Sequence, residues 1–195
     1  MEEEKISAKK GKFKVVHFNN EETIKVVKVV GYFLDQGISK NPPQFVIITG
    51  GVASGKTTIR RQKFTNNYVN FDFGEICDAL EKEFGADSPR LSEYAVLASD
   101  MILHDSIVDK KNIVIEIIGD NKEILETLID KMKGIGYKVS MDLIYCDPVE
   151  AYKRHLKAVE EDKTYRSSYF TQEATVSFFY RHFELGEIPQ NDSNS

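Results

Sequence analysis

The sequence predicts an α/β fold in which helices cover both faces of a parallel β-sheet. Short apolar runs alternate along the chain with segments of helical periodicity, which is the pattern of strand–helix–strand units. One run, residues 112–118 (NIVIEII), is almost continuously apolar, as expected of a strand buried on both faces of a parallel sheet. Another, residues 45–49 (FVIIT), leads directly into a glycine-rich turn and a helix-compatible segment.

Composition indicates one globular domain. The chain has 195 residues, of which 41% are hydrophobic and 29% charged, and its net charge of −5 offers no general attraction to nucleic acid. The start of the chain is charged, and no apolar run approaches the roughly 18 residues of a membrane span. We therefore expect a cytoplasmic protein with neither a nucleic-acid nor a membrane partner. Cys77 and Cys146 lack metal-ligand spacing, which predicts free thiols.

Residues 1–43 predict an N-terminal arm that contains one helix. Asn19 provides a capping side chain with acidic residues after it, and Gly37 would end the helix. One apolar face is predicted to consist of Ile24, Val27, Val30 and Leu34. The two prolines at 42 and 43 exclude helix directly before the first strand.

The main domain is predicted at residues 44–185 and a disordered tail at residues 186–195. Its strands are predicted at residues 45–49, 68–71, 112–118 and 137–146. Amphipathic or capped segments predict helices at residues 74–84, 91–108, 120–133, 149–162 and 171–183, besides the one after the glycine-rich turn. For the helix at 149–162 we expect an apolar face of Val149, Tyr152, Leu156 and Val159.

The glycine-rich turn at residues 50–57 (GGVASGKT) matches the phosphate-binding pattern G-x-x-x-x-G-K-[ST] at every fixed position. Its glycines can adopt backbone angles that point successive N–H groups at phosphate oxygens, and the next helix adds its positive dipole end. A plain turn is the alternative, but the strand before and the helix after favour a nucleotide site. The predicted nucleotide-binding residues are Gly50, Gly51, Val52, Ala53, Ser54, Gly55, Lys56, Thr57 and Thr58.

Two residues of this pattern have separate chemical roles. Lys56 would reach the β- and γ-phosphates as a point charge, and the Thr57 hydroxyl would ligate the Mg²⁺ that bridges them. The predicted cofactors are therefore ATP and Mg²⁺, with Thr57 as the metal ligand.

Asp72 follows the predicted second strand. Ligands of open parallel sheets bind outside the carboxyl ends of the strands, so Asp72 would lie near the phosphates as a candidate base. Asp is also a favoured N-cap residue, and the segment after it is helical. Both interpretations remain open on these grounds.

Glu116 interrupts the most apolar strand. A carboxylate inside such a run is costly unless it is paired or faces a functional site. The sequence therefore favours a functional role for Glu116.

Two arginines follow the fourth strand, Arg154 in a helix and Arg166 in a Ser/Tyr-rich loop. Charges at such positions are usually a solvated helix face. Phosphoryl transfer, however, often uses an arginine from a mobile segment to offset charge on the transferring group. Both residues are therefore candidates for that role.

With these motifs in hand, the chain resembles the zeta-toxin and related small P-loop kinase family, whose known members phosphorylate UDP-activated amino sugars. The resemblance covers roughly residues 45–185 in element order. The segments that carry it are GGVASGKTT, YVNFDFGEI, NIVIEI and GYKVSMDLIYCDPVEAYKRHLKA.

The resemblance implies a P-loop NTPase-type sheet and assigns roles residue by residue. Lys56 and Thr57 match the nucleotide and Mg²⁺ residues, and Asp72 matches the acid that serves as base. Glu116 matches the glutamate carried by a strand, and Arg154 the arginine of the helix after the fourth strand.

Three functional hypotheses follow. The first is an ATP-dependent kinase whose partner is a small-molecule acceptor, with a UDP-sugar as the candidate that the resemblance implies and a neutralising protein as a candidate partner. The second is a nucleotide-binding switch or interaction module with little catalysis. The third, simple ATP hydrolysis, is disfavoured because neither Asp72 nor Glu116 ends an apolar run in the form typical of hydrolytic P-loop ATPases.

Overall fold

A computed structural model of the chain describes residues 17–161 and 168–184. The strands are β1 (Gln44–Thr49), β2 (Val69–Phe71), β3 (Ile113–Ile117) and β4 (Lys138–Leu143). The helices are α1 (Asn20–Leu34), α2 (Lys56–Lys63), α3 (Phe73–Phe84), α4 (Leu91–Val108), α5 (Lys122–Gly134), α6 (Pro148–Glu161) and α7 (Ser168–Glu184). Arg166 and the predicted tail lie outside the described residues.

The four strands form one sheet in the order β2-β3-β1-β4, and every neighbouring pair is parallel. In the register of the sheet, Phe45 of β1 lies between Ile113 of β3 and Val139 of β4. The predicted α/β fold with a parallel sheet is confirmed, and all four predicted strands are present. β1 begins one residue earlier than predicted, and the other three strands are shorter than predicted. Because β1 is a central strand, the glycine-rich turn that follows it lies at the middle of the edge formed by the carboxyl ends of the strands.

The two faces of the sheet bury different side chains because residues alternate along each strand. Phe45 and Ile47 belong to the larger core, which α1, α3, α4, α5 and α7 cover. Val46 and Ile48 belong to a smaller cluster on the opposite face together with Phe64, which directly follows α2. Helices therefore cover both faces of the sheet. Helix α2, which begins at the end of the glycine-rich turn, lies on the face of the smaller cluster.

Helix α1 packs into the main core, but with a different face from the predicted one. Its buried residues are Val26, Val29, Val30 and Phe33. Ile24 and Val27 are exposed, so the prediction was wrong for these two residues. Apolar residues occur on several sides of this helix, and the pattern alone therefore allows more than one buried face.

The opposite edge of the sheet is much more exposed. The predicted apolar face of α6 is at least half exposed at all four of its residues, and α6 contains no buried residue. Met141, Leu143 and Tyr145, in and after β4, are also at least half exposed. We call these seven apolar residues the β4–α6 surface. Within the described ranges, no helix has the length and apolar character needed to cross a membrane.

Candidate active site

The glycine-rich turn has a backbone that depends on two of its glycines. Gly50 has φ +152°, and a Cβ there would lie 2.5 Å from the carbonyl oxygen of Ile144. Gly55 has φ +102° and is the N-cap residue of α2. Ala53, between them, also has a positive φ of 56°. These left-handed positions shape the turn that leads into the N-terminus of α2, where helix amides favour an anion.

Lys56 and Ser54 place polar groups inside this loop. Lys56 is only 4% exposed, and its Nζ donates hydrogen bonds to the carbonyls of Gly50 at 2.7 Å and Gly51 at 2.8 Å. Burial lowers the pKa of Lys56, and the charge of Glu116 opposes that shift. The Ser54 hydroxyl is buried and has no hydrogen-bond partner within the described structure. A buried cation beside an unpartnered hydroxyl fits a phosphate group.

A buried arginine organises the carboxylates next to the loop. Arg60, on α2, is 2% exposed, and its Nε donates to Oε1 of Glu116. Its Nη1 and Nη2 donate to the two oxygens of Glu75 at 3.1 and 2.8 Å, and its Nη2 lies 3.7 Å from Oδ2 of Asp72. Burial alone would lower the pKa of Arg60, but its hydrogen bonds and the charges of these acids hold it above the ordinary value. One permanent cation thus holds three carboxylates together.

Asp72 lies where β2 ends and α3 begins. Its Oδ1 accepts a hydrogen bond from the backbone N–H of Glu75 at 3.0 Å, so the residue is the N-cap of α3. Burial raises the pKa of Asp72, and the Glu116 charge adds to this, while Arg60 acts in the opposite direction. Because only Oδ1 is used by the cap, the carboxylate can cap the helix and still present Oδ2 to the cluster.

Glu116 connects the glycine-rich turn to Arg60. It lies in β3 opposite Ile48, on the sheet face that α2 covers. Its Oε2 accepts a hydrogen bond from the Thr57 hydroxyl at 2.8 Å, and its Oε1 accepts one from Arg60. A threonine hydroxyl and a carboxylate are the oxygen ligands that suit Mg²⁺, which usually takes only one or two protein ligands. The residues described contain no cluster of three or more His, Cys, Asp or Glu arranged for a metal.

The structure brings together some of the residues singled out by the sequence. Four of them, Lys56, Thr57, Asp72 and Glu116, lie together where the glycine-rich turn ends. Arg154 instead lies exposed on α6, where its Nη1 is 3.6 Å from Sγ of Cys146. Arg166 lies outside the described residues, so its role stays a prediction.

Arg60 and Glu75 are central to the cluster, yet neither was predicted from the sequence as a site residue. One signal was available for each of them. Arg60 follows Lys56 by four residues and therefore lies on the same helix face. Glu75 follows the N-cap Asp72 by three residues, which is the capping-box position.

Comparison with known proteins supports the fold. No model of a known protein family matches the chain, and no curated protein matches its sequence. Its fold is similar to a chain from the molecular and structural characterization of the PezAT chromosomal toxin-antitoxin system of the human pathogen Streptococcus pneumoniae. The TM-score is 0.57 at 18% identity, and the match covers 89% of this chain and 76% of that chain. This likeness concerns the fold alone, and it agrees with the parallel α/β fold that the sequence predicts.

Proposed function

We propose that the protein is an ATP-dependent small-molecule kinase of zeta-toxin type. It transfers the γ-phosphoryl group of ATP to a hydroxyl of a sugar nucleotide or a similar metabolite. In this proposal the glycine-rich turn at residues 50–57 is the phosphate loop. One observation carries the proposal: the phosphate loop ends beside a cluster in which Glu116 accepts hydrogen bonds from both Thr57 and Arg60, and Asp72 lies at the same guanidinium. A phosphate site next to a buried carboxylate of raised pKa suits transfer to a hydroxyl.

The loop residues bind and orient the nucleotide. The amides of residues 50–55 surround the phosphates, and Lys56 exchanges its loop carbonyls for phosphate oxygens. Thr57, with Glu116 behind it, would hold the Mg²⁺ ion. When bound, that ion neutralises charge on the β- and γ-phosphate oxygens.

Asp72 acts on the acceptor. Its carboxylate takes the proton of the acceptor hydroxyl as the oxygen–phosphorus bond forms and the bond between the β–γ bridging oxygen and the γ-phosphorus breaks. ADP leaves with the bridging oxygen, and the proton remains on Asp72 until solvent removes it. Arg154 and Arg166 are proposed to offset charge on the transferring group.

The acceptor is identified by incubating the protein with ATP and Mg²⁺ and a panel of UDP-sugars, other sugar nucleotides, nucleosides and small metabolites. Mass spectrometry should find one compound that gains a single phosphate, with ADP formed in equal amount. A reaction without acceptor measures hydrolysis alone. ADP release that no compound stimulates would contradict the kinase and favour an ATPase.

Asp72→Asn is expected to lower the transfer rate by about 10²–10⁴-fold while leaving ATP affinity unchanged. Asparagine caps helices as well as aspartate does, so α3 should be retained.

The transfer rate of the parent should fall as the pH drops through the pKa of Asp72. Because burial raises that pKa, the fall should begin above the pH range of an ordinary aspartate. Steady-state rates across pH test this, with the exposed Asp87→Asn as control. An unchanged rate in Asp72→Asn would exclude Asp72 as the base.

A nucleotide-binding switch with little catalysis is the second candidate function. It is favoured by the fact that the proposed base, Asp72, already lies next to Arg60, which also pairs with Glu75 and Glu116. The two functions differ in one measurement. A switch binds ATP with no acceptor-dependent ADP release, and Asp72→Asn then changes neither binding nor biological effect.

A protein partner, such as a neutralising protein, is also proposed. It is supported by the likeness to a chain of a toxin-antitoxin system and by the β4–α6 surface, since exposed apolar patches often mark protein contacts. Crosslinking in cells followed by mass spectrometry tests it, with Leu143→Ser and Tyr145→Ser in the surface as the comparison. If parent and variant give the same crosslinks, this surface is not the contact.

A further inference from the structure

Strand β4 forms one edge of the sheet. Within the described ranges it pairs with a strand on one side only, that of β1. The N–H of Lys138 points toward β1, where it donates to the carbonyl of Pro43 at 2.8 Å. Because successive residues of a strand direct their backbone groups to opposite sides, the N–H and C=O groups of Val139 and Met141 face outward. Such outward groups can pair with another strand.

The side chains of β4 divide between the two faces of the sheet. The odd-numbered residues 139–143 are apolar and lie on the face of the larger core, since Val139 and Met141 are in register with Phe45 and Ile47. The even-numbered residues 138–142 are polar and lie on the opposite face. Met141 is half exposed, so the apolar face reaches the edge of the sheet without being covered by the described residues.

Two copies of the chain can join at this edge about a two-fold axis perpendicular to the sheet. Such an axis runs the two β4 strands antiparallel and keeps each face continuous, so residues that lie opposite each other belong to the same face. With the axis at Ser140, Val139 of each copy lies opposite Met141 of the other. Their outward backbone groups then form the hydrogen-bonded pairs of an antiparallel ladder.

This arrangement is also complementary in charge. Lys138 of each copy lies opposite Asp142 of the other, and opposite charges at such positions are stabilising. Lys138 is exposed and forms no ion pair within the described structure, and the side chain of Asp142 is 40% exposed although its Oδ2 lies 3.8 Å from Nζ of Lys63. Moving the axis by one residue in either direction would place Lys138 opposite Ser140 or Ile144 instead. A lysine on an edge strand ordinarily discourages pairing, but here it meets a carboxylate.

The paired strands need further contact area beside them. A stable interface usually buries more than about 1,000 Å² in total, which two short strands alone do not supply. The other apolar residues of the β4–α6 surface follow β4 in the chain and are at least half exposed, so they are available for this contact.

We propose that β4 is a dimerisation edge, at which two copies of the chain pair their β4 strands antiparallel about Ser140. The pairing joins the two four-stranded sheets into one continuous sheet. This proposal rests on that of a protein partner at the β4–α6 surface and names the partner as a second copy of the chain. It does not depend on the kinase reaction.

Sedimentation velocity of the full chain without nucleotide, over a range of concentrations, measures the association. We expect the parent to form a dimer whose fraction rises with concentration. Lys138→Asp and Asp142→Lys each place like charges opposite one another, so each should weaken dimerisation by about tenfold or more. Combining the two substitutions restores opposite charges and should restore the dimer. Lys122→Asp, at an 86% exposed side chain on α5, is the control and should dimerise as the parent does.

Ser140→Cys tests the register of the two strands. The axis places residue 140 of both copies in a non-hydrogen-bonded pair, where Cα atoms lie about 4.5 Å apart, within the range that a disulfide spans. In a Cys146→Ser background, mild oxidation should link Ser140→Cys into a covalent dimer on a non-reducing gel. Glu126→Cys, on α5, is the matched control in the same background and should stay unlinked.

Two results would overturn the proposal. One is that the parent sediments as a single chain at every concentration and Ser140→Cys is not linked, which would mean that no second copy pairs with this edge. The other is that the parent is a dimer which neither charge reversal weakens, which would place the contact elsewhere. The kinase proposal is separate from both results, because neither measurement uses nucleotide. Crosslinks from the β4–α6 surface to a different protein would still support a partner of another kind.

Discussion

Arg60→Met is expected to lower the free energy of unfolding by about 3–5 kcal/mol, the cost typical of removing one partner from a buried ion pair. Methionine fills a similar volume but leaves Asp72, Glu75 and Glu116 crowded without the cation that now lies among them. Urea denaturation followed by circular dichroism at neutral pH measures the change.

Arg61→Met is the matched control for this experiment. Arg61 neighbours Arg60 on α2 and also donates to Glu75, at 2.9 Å, but its side chain is 67% exposed. An exposed ion pair contributes about 0–1 kcal/mol, so this variant should be nearly as stable as the parent. Equal losses of unfolding free energy in the two variants would mean that the burial of Arg60 does not increase the contribution of its ion pairs.

The loss in Arg60→Met should also depend on pH. Burial alone would raise the pKa of Glu75, but the hydrogen bonds from Arg60 and Arg61 lower it. The contribution of Glu75 to the stability of the parent is therefore present above its unfolded pKa and is lost as the pH falls through its folded pKa. Without Arg60, the pKa values of Asp72 and Glu75 lose the cation that now lowers them, and the variant gains stability on acidification. The difference in unfolding free energy between parent and variant should therefore become smaller as the pH falls. A constant difference would contradict this explanation.

Lys56→Ala is expected to lower phosphoryl transfer by about 10²–10³-fold or more, as for the loss of one preorganised group that stabilises transition-state charge. The protein should still fold. Burial lowers the pKa of Lys56, which means that the folded loop does not favour its charge while no phosphate is bound. The lysine is therefore expected to serve nucleotide binding rather than stability.

Thermal melting with and without ATP and Mg²⁺ separates these effects. A ligand at 100 times its Kd stabilises the folded state by about 2.7 kcal/mol, so the parent should melt at a higher temperature with nucleotide and Lys56→Ala should not. Lys63→Ala, at the exposed end of the same helix, should behave as the parent. Transfer by Lys56→Ala at the parental rate would show that the kinase proposal is wrong.

Local signals were sufficient for much of the fold. The strand at residues 45–49, the turn at residues 50–57 and the apolar run around Glu116 each carry their information in a short window, because periodicity and glycine placement act on neighbouring residues. Asp72 was also foreseen as either a cap or a site residue. The structure establishes the cap, and the role of base remains a proposal.

Other features could not be obtained from such windows. Four apolar residues at helical spacing predicted an apolar face for α6, and the structure leaves that face exposed, whereas α1 buries a face other than the predicted one. A helix pattern indicates that a face is apolar, but the neighbouring elements determine whether it is covered and which of several apolar sides is used.

By itself, the sequence predicted the parallel α/β fold and the position of the glycine-rich turn within it, because periodicity and glycine placement are signals carried by residues close in the chain. Only the tertiary structure decided that Arg60 lies among Asp72, Glu75 and Glu116 and that β4 lies at an edge of the sheet. Arg60, for example, bonds to Glu75 and Glu116, which lie 15 and 56 positions away from it in the sequence. The physical reason is that the burial of a charge or the exposure of a strand depends on what the whole sheet and its helices bring next to it, and no local pattern contains that information.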